Sequence, residues 1–345
     1  MVAHARHLHP PRSRHRPWLL TAVLAAFAGA PVHAAETITL YSAQHEQMVD
    51  QLTKQFTQQT GIAVRVHTGE APEIANQIAR EGTRSPADVY FTENSPELTL
   101  LDEKGLLAPV DPATLAAVPA QYSSPSGHWV GVFARESVLA FNPSLIKEDQ
   151  LPASLMDLAT PEWRRKVAIA PADADFLPLV DAVASLHGEA ATLAWLKGLR
   201  VNAQVFDDDE AVVAAVDRGG AAVGIINSYY WARLRTEQGE AKTKSRIHHF
   251  SGGDIGGLIN VSGAAALKSS KHGAAAQKFL AFLVSKDVQS ATAAGDVDFE
   301  YPLTPGVSAN ALLKPFDTLQ PPTVNVSQLG DDRLAARLLR QAGLL

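Results

Sequence analysis

Residues 37–41, Thr-Ile-Thr-Leu-Tyr, alternate polar and apolar positions as a β-branched strand does. The helical stretch that follows ends at Thr60-Gly61, where glycine suits a helix C-terminus. Residues 62–66 alternate again as a strand. A helix is expected over about 72–81, with Pro72 near its first turn. Next come a short buried strand over 87–91 and a helix from Ser95 or Pro96 to Lys104, ended by Gly105. This β-α-β-α-β-α order predicts an α/β domain with a largely parallel sheet. Ligands of such sheets bind beyond the carboxyl ends of the strands. His45, four residues past the first strand, and Glu93, about two past the third, therefore fall on that rim.

The middle of the chain repeats the alternation. A strand is expected over 166–170, helices over 176–186, 190–199 and 210–218, and a strand over 222–226. Tyr229-Tyr230 then stand at a strand end and a helix start, on a second rim. Segments 129–141 and 258–267 read as extended apolar stretches that cross between domains and act as hinges. Late helices are expected over about 272–284 and 331–341, and the proline-rich stretch 302–322 is a connection.

The first 34 residues form a separate unit. Arg6, Arg12, Arg14 and Arg16 occur with no acid, an apolar run covers 18–30, and Val32-His33-Ala34 supplies small residues for cleavage. That run is shorter than the roughly 20 residues a membrane-spanning helix needs, so it reads as a secretory signal peptide cut after Ala34. Four of the 30 basic residues lie in this leader, leaving 26 against 36 acids, a net charge near −10. So acidic a surface argues against nucleic acid. The chain has no cysteine, which excludes disulfides, thiol nucleophiles and sulfur-ligated metals. About 311 mature residues exceed the usual single core and predict two domains with a cleft.

Two adjacent phenols in a chain with only 6 tyrosines draw attention to the run Ile225-Ile226-Asn227-Ser228-Tyr229-Tyr230-Trp231. A phenol ionises only near pH 10 in water, but a bound cation can strip the proton from its ligand. The pair therefore points to a hard, highly charged ion, ferric iron being the common biological one. The competing reading is two aromatics that open a helix and pack into a core.

Several motifs together carry a family resemblance over essentially the whole mature sequence. They are Tyr41-Ser42-Ala43-Gln44-His45, Pro86-Ala87-Asp88-Val89-Tyr90-Phe91-Thr92-Glu93, Ala194-Trp195-Leu196-Lys197-Gly198-Leu199, Asn227-Ser228-Tyr229-Tyr230-Trp231, Ser262-Gly263-Ala264-Ala265, Ala276-Gln277-Lys278-Phe279 and Glu300-Tyr301-Pro302-Leu303. With them the chain resembles the periplasmic ferric-ion-binding proteins of bacterial ABC iron transporters. The resemblance implies a two-lobed periplasmic binding protein fold, two α/β domains joined by crossing hinge strands with the ligand in the interdomain cleft. One lobe would comprise 35–137 plus about 262–312, the other about 138–261 plus 313–345. It implies ferric iron as transported ligand, held by His45, Glu93, Tyr229 and Tyr230. An ABC permease would be the partner, the location the periplasm, and the protein a monomer that spans no membrane. One imidazole, one carboxylate and two phenolates bring three negative charges to balance a trivalent ion. Taken singly, His45 fits the opening of a helix and Glu93 an acid near a helix N-terminus.

Members of this group often complete the iron shell with a small anion such as phosphate, held by hydroxyl and amide donors and an arginine. Here Asp173 and Asp175 replace the Ser/Gly-type loop, Asp209 stands where an amide is familiar, and Asp298 stands where an arginine commonly precedes Glu-Tyr-Pro. Asn227 and Asn94 remain as amide donors. Carboxylates accept hydrogen bonds but donate none. Phosphate is therefore not expected as the partner anion. An aspartate approaching the iron, water or a different chelating ligand is left open, against a solvated acidic loop or helix cap at 173–175. His248-His249 reads as a solvated pair and residues 207–210 as an acidic helix start. The alternative function is a binding protein of the same fold for another solute: a ferric chelate, another metal or a small organic molecule. An enzyme is not expected, since no Gly-x-Ser-x-Gly, His-Glu-x-x-His or phosphate-binding glycine loop is present.

Overall fold

The computed structural model describes residues 1–2 and 36–345, so the expected leader lies outside the described residues apart from its first two positions. The strands among the described residues are β1 (Thr37–Ala43), β2 (Ala63–Thr68), β3 (Val89–Thr92), β4 (Val130–Phe141), β5 (Val167–Ile169), β6 (Ala203–Val205), β7 (Val223–Asn227), β8 (Arg246–His248), β9 (Ile259–Ala266) and β10 (Tyr301–Pro302). Their order is β2-β1-β3-β9-β4-β7-β5-β6, with β10 and β8 also paired to β4. Parallel pairing holds β1 to β2 and β3, and β5 to β6 and β7. The middle of the order is antiparallel: β3 with β9, β9 with β4, and β4 with β7. A largely parallel sheet was the expectation; two antiparallel crossing strands make the sheet mixed.

All 12 residues of β4 are buried. Residues 130–136 pair with β9 and residues 137–141 with β7, so a single strand serves both halves of the molecule. Its side chains divide accordingly. Val130, Val132, Phe133 and Ala134 pack in a core with β1, β3 and β9. Leu139 and Phe141 join a second core, and Val138 and Ala140 a third cluster on the opposite face of the β5/β7 sheet. The period-2 alternation of a strand produces that last division. The chain returns at Leu258-Ile259, whose side chains belong to the second and first cores, and Ser137 donates its N–H to the Leu258 carbonyl at 2.8 Å.

Helices cover the sheet faces for ordinary reasons. Glu46–Thr60 buries Met48, Val49, Leu52, Thr53 and Phe56, a stripe of helical period, and stops at Gly61, whose φ of +73° is left-handed. Each large apolar side chain so buried is worth about 1.5–3 kcal/mol. A Cβ at Gly263 would lie 2.6 Å from Leu98 Cδ1 and 3.1 Å from the Val130 carbonyl, so helix Ser95–Glu103 packs closely on β9 because that residue is glycine. β1 runs to Ala43, which puts His45 two residues beyond the strand rather than four. Helix Lys286–Ala293 and strands β6 and β8 were not expected; the C-terminal helix is Arg333–Ala342, starting later than 331 because Asp332 is left-handed at φ +63°.

Candidate metal centre

Five strand ends deliver the candidate side chains, as the carboxyl-end rule for parallel strands requires. β1 leads to His45, the N-cap residue of helix Glu46–Thr60, whose side chain makes no cap bond. β3 leads to Glu93 and to Asn94, the residue before helix Ser95–Glu103. β5 leads to Asp173 and Asp175, β6 to Asp209, and β7 to Asn227, where helix Ser228–Gln238 begins with Tyr229 and Tyr230 in its first turn. A cleft of about 570 Å³ opens between the two groups, with Gln44, His45, Glu93 and Asn94 on one wall and Asp173 and Tyr230 on the other.

The four residues expected to ligate iron converge here. The rings of Tyr229 and Tyr230 lie 4.0 Å apart, and that of His45 lies 5.1 Å from Tyr229. His45 Nε2 faces Glu93 Oε1 at 3.7 Å, while His45 Nδ1 meets Asp298 Oδ2 at 2.8 Å. An ionised carboxylate accepts only, so Nδ1 carries the proton toward Asp298 and Nε2 is directed at the cleft. Asp298 is itself fixed, its Oδ1 accepting the Glu300 N–H at 2.8 Å. Both carboxylate oxygens of Asp298 are thus occupied by donors within the chain, the histidine ring among them. His45, Asp298 and Glu300 offer ligand-type atoms all within 4.8 Å of one another.

Arg135, fully buried on β4, ties these parts together and was not anticipated. Its Nη1 donates to Glu300 Oε1 at 2.8 Å and lies 3.7 Å from Glu93 Oε2; Nη2 donates to Asn94 Oδ1 at 2.9 Å and to the Glu93 carbonyl; Nε lies 3.5 Å from Asp175 Oδ1. Glu300, quoted in a motif but given no role, also accepts from Ser262 Oγ at 3.2 Å. Asp175 is not solvated, and although it stands at the N-cap position of helix Phe176–His187, as one expectation had it, its side chain does not cap that helix. It is buried, makes no cap bond, receives the Tyr229 hydroxyl at 3.1 Å on Oδ2 and the Asn94 amide at 3.3 Å on Oδ1. Asp173 and Asp209 each accept hydrogen bonds from the backbone. Asp173 accepts the backbone N–H of Asp175 (3.0 Å) and of Asp209 (3.1 Å), and Asp209 accepts that of Asn227 (3.1 Å). The expected acidic helix start holds, since Asp208 Oδ1 accepts the Ala211 N–H at 2.7 Å. His249 departs from a solvated pair: it is half-buried against Glu136 Oε2 at 2.7 Å.

Charge is distributed unevenly. Burial opposes protonation of His45, but the hydrogen bond and charge of Asp298, with Glu93 and Glu300, push its pKa up to about 9. Burial raises the Glu93 carboxyl against the pull of His45 and Arg135. Burial and Asp175 lift Asp173 to about 7, and burial with Asp173 and Asp175 holds Asp209 well above its ordinary value. Asp175 goes the other way: burial is outweighed by Arg135, Asn227, His45 and Asn94. Burial and Asp175 push both phenols well above 10. The buried Tyr229 and half-buried Tyr230 are neutral on their own, and a bound cation is the kind of neighbour that can reverse that preference. The donor set fits a hard, highly charged ion.

The family described as bacterial extracellular solute-binding protein matches residues 84–324. A Serratia marcescens protein described as an Fe(3+)-binding periplasmic protein is 38% identical over 327 residues, covering 95% of this chain and 96% of that one. The major ferric iron-binding protein of Neisseria meningitidis is 36% identical over 328 residues, covering 94% and 98%. Among solved structures, iron-bound HitA from Pseudomonas aeruginosa superposes with a TM-score of 0.84 at 40% identity, covering 90% of this chain and all of that one. A Trichodesmium protein in complex with iron and citrate gives 0.79 at 30% identity, covering 90% and 100%.

Proposed function

This chain belongs to the bacterial extracellular solute-binding protein family, and on that premise we propose that it captures ferric iron between its two lobes in the periplasm and delivers it to an ABC permease. It binds its solute and does not transform it. His45 through Nε2, Glu93, Tyr229 and Tyr230 are the ligands in this reading. What supports it is the tilted tyrosine pair, with ring centroids 4.0 Å apart and the His45 ring 5.1 Å from Tyr229, beside a histidine whose Nδ1 is held by Asp298 and whose Nε2 is turned to Glu93. Such a set supplies three negative charges after two phenols ionise, matching the ion. The names of the Serratia and Neisseria relatives and the iron-bound neighbour point the same way.

The geometry supports a delivery step. Ligands from both lobes can be satisfied at once only when the cleft is shut, so affinity for the ion becomes a shape that a membrane partner reads. Among the described residues no helix is long and apolar enough to cross a membrane. The 34-residue leader fits export to the periplasm, and the protein works in this reading as a monomer.

A visible-absorption titration of the iron-free mature protein with a weak ferric chelate tests the reading. The expected result is an intense tyrosinate-to-iron charge-transfer band that saturates at a single iron per chain. It should disappear in the double variant Tyr229→Phe, Tyr230→Phe. No band in the wild-type protein would overturn the assignment.

A further inference from the structure

Resting on the ferric reading above, we propose that Arg233 is a positioning residue for the iron site: its guanidinium, lying over both tyrosine rings, draws charge from the two tyrosinates and so tempers the preference of the site for ferric over ferrous iron. The sequence places it there. Arg233 follows Tyr229 by four positions and Tyr230 by three on helix Ser228–Gln238, and residues three and four apart share a helix face. Long helical side chains lean back over the preceding turn, which here is the turn that carries the tyrosines. The guanidinium carbon accordingly lies 5.5 Å from the Tyr229 ring centre and 5.8 Å from that of Tyr230. Those rings are themselves 4.0 Å apart, so a single cation serves the pair.

A partner on another element keeps it in place. Arg233 Nη1 donates to Glu210 Oε1 at 2.5 Å, and Glu210 stands in the first turn of helix Asp209–Arg218. The Arg233 side chain is 25% exposed, so water screens its charge only in part. Arg233 is not among the residues that line the cleft, and it therefore acts on the ion through the rings alone. The other cation that bears on Tyr229, Arg135, is committed to Glu300, Asp175 and Asn94. Two phenolates on one ion carry like charges in close contact, and a guanidinium on their shared flank offsets that repulsion. Electron density drawn toward the guanidinium is density withheld from the metal, and a ferric ion, with its higher charge, loses more by this than a ferrous one. The residue thereby sets how far the site distinguishes the two oxidation states, a specificity the four ligands alone do not fix. Arg235 repeats the arrangement over a ring that is no ligand in this reading, with its guanidinium 5.2 Å from the Trp231 ring centre and paired with Glu240.

The charge-transfer band reports on the tyrosinate donors directly. Wild-type protein and the variants Arg233→Met, Arg233→Gln, Arg233→Lys and Arg235→Met are loaded with ferric iron, their fold checked by circular dichroism, and each is reduced stepwise with dithionite while the band is followed. Arg233→Met and Arg233→Gln remove the charge. Their band is expected at longer wavelength, because the donors rise in energy, and their midpoint at more negative potential. That shift corresponds to a rise of on the order of tenfold in the ratio of ferric to ferrous affinity. Arg233→Lys keeps a cation and should stay close to wild type, as should Arg235→Met. An unchanged band and midpoint in the two uncharged variants would overturn the proposal and leave the ferric reading standing. Equal shifts in Arg235→Met, or a lysine variant that behaves like the methionine one, would overturn it too. If wild-type protein shows no band, both readings fall together.

Discussion

Asp298 decides which nitrogen of His45 meets the cleft, because its carboxylate occupies Nδ1 at 2.8 Å. Partners of this kind fix a ligating imidazole and raise its basicity. Asp298→Asn is therefore expected to lower iron affinity by about 10–100-fold while leaving a charge-transfer band, since no ligand atom is removed. Competition against a graded series of chelators measures this. Arg135 acts through charge rather than position alone. Replacing it with Met leaves Glu300 and Asp175 buried without their cation, a type of loss that costs about 3–5 kcal/mol. The iron-free variant should melt well below wild type, as calorimetry would show. The four ligand candidates were legible because each follows a strand end in a recognisable motif. Arg135 was not, since the 129–141 run reads as an apolar crossing strand. The clue lay within it all the same: two charged residues, Arg135-Glu136, inside a buried strand are tolerable only if paired.

Helix Arg333–Ala342 begins under an unusual constraint. Asp332 is left-handed at φ +63° and its Oδ1 has no hydrogen-bond partner among the described residues, while burial and the charges of Glu97, Asp181 and Asp331 push its pKa up to about 9. Burial likewise raises Glu97 and Asp181 to about 7. A carboxyl raised in the folded state binds its proton more tightly there than when unfolded. The stability tied to it is complete below the ordinary carboxylate range and is lost as pH climbs through about 7 to 9. Asp332→Asn imitates the protonated form, and asparagine tolerates the left-handed region. It should raise the melting temperature at pH above 8, change little near pH 5, and flatten the pH profile between. Boundaries of this sort escape a sequence reading. The pattern placed the helix start near 331, but only the backbone shows where helical φ begins. Helix Lys286–Ala293 escaped for another reason: Lys-Asp-Val-Gln-Ser-Ala-Thr-Ala buries only Val288, Gln289 and Ala293, too few apolar positions to show a period.

At the scale of the molecule the two halves are already engaged. Tyr229 begins a helix that follows β7, yet its ring packs in the core built on β1, β3 and β9. Iron bound to both walls should strengthen that union. A ligand that binds only the folded state contributes about 4 kcal/mol when present at about 1,000 times its Kd. The ferric form should therefore melt several degrees higher, and the double phenylalanine variant should lose this gain. Calorimetry with and without iron separates the cases. Crossing segments 129–141 and 258–267 were readable as extended and apolar. Their antiparallel pairing was not, because direction depends on partners far away in sequence.

That distance has a consequence in time. β3 pairs with β9 through Thr92↔Gly263 and Val89↔Ala266, so the strand made early waits for one made more than 170 residues later. Pairings so remote are slow to form. While the ribosome works through the intervening chain, the first three strands lack the neighbour that closes their sheet. The other half, whose β4, β5, β6 and β7 all precede residue 228, has every one of its mutually paired strands in hand before β9 exists, so the first half is the last to complete its sheet.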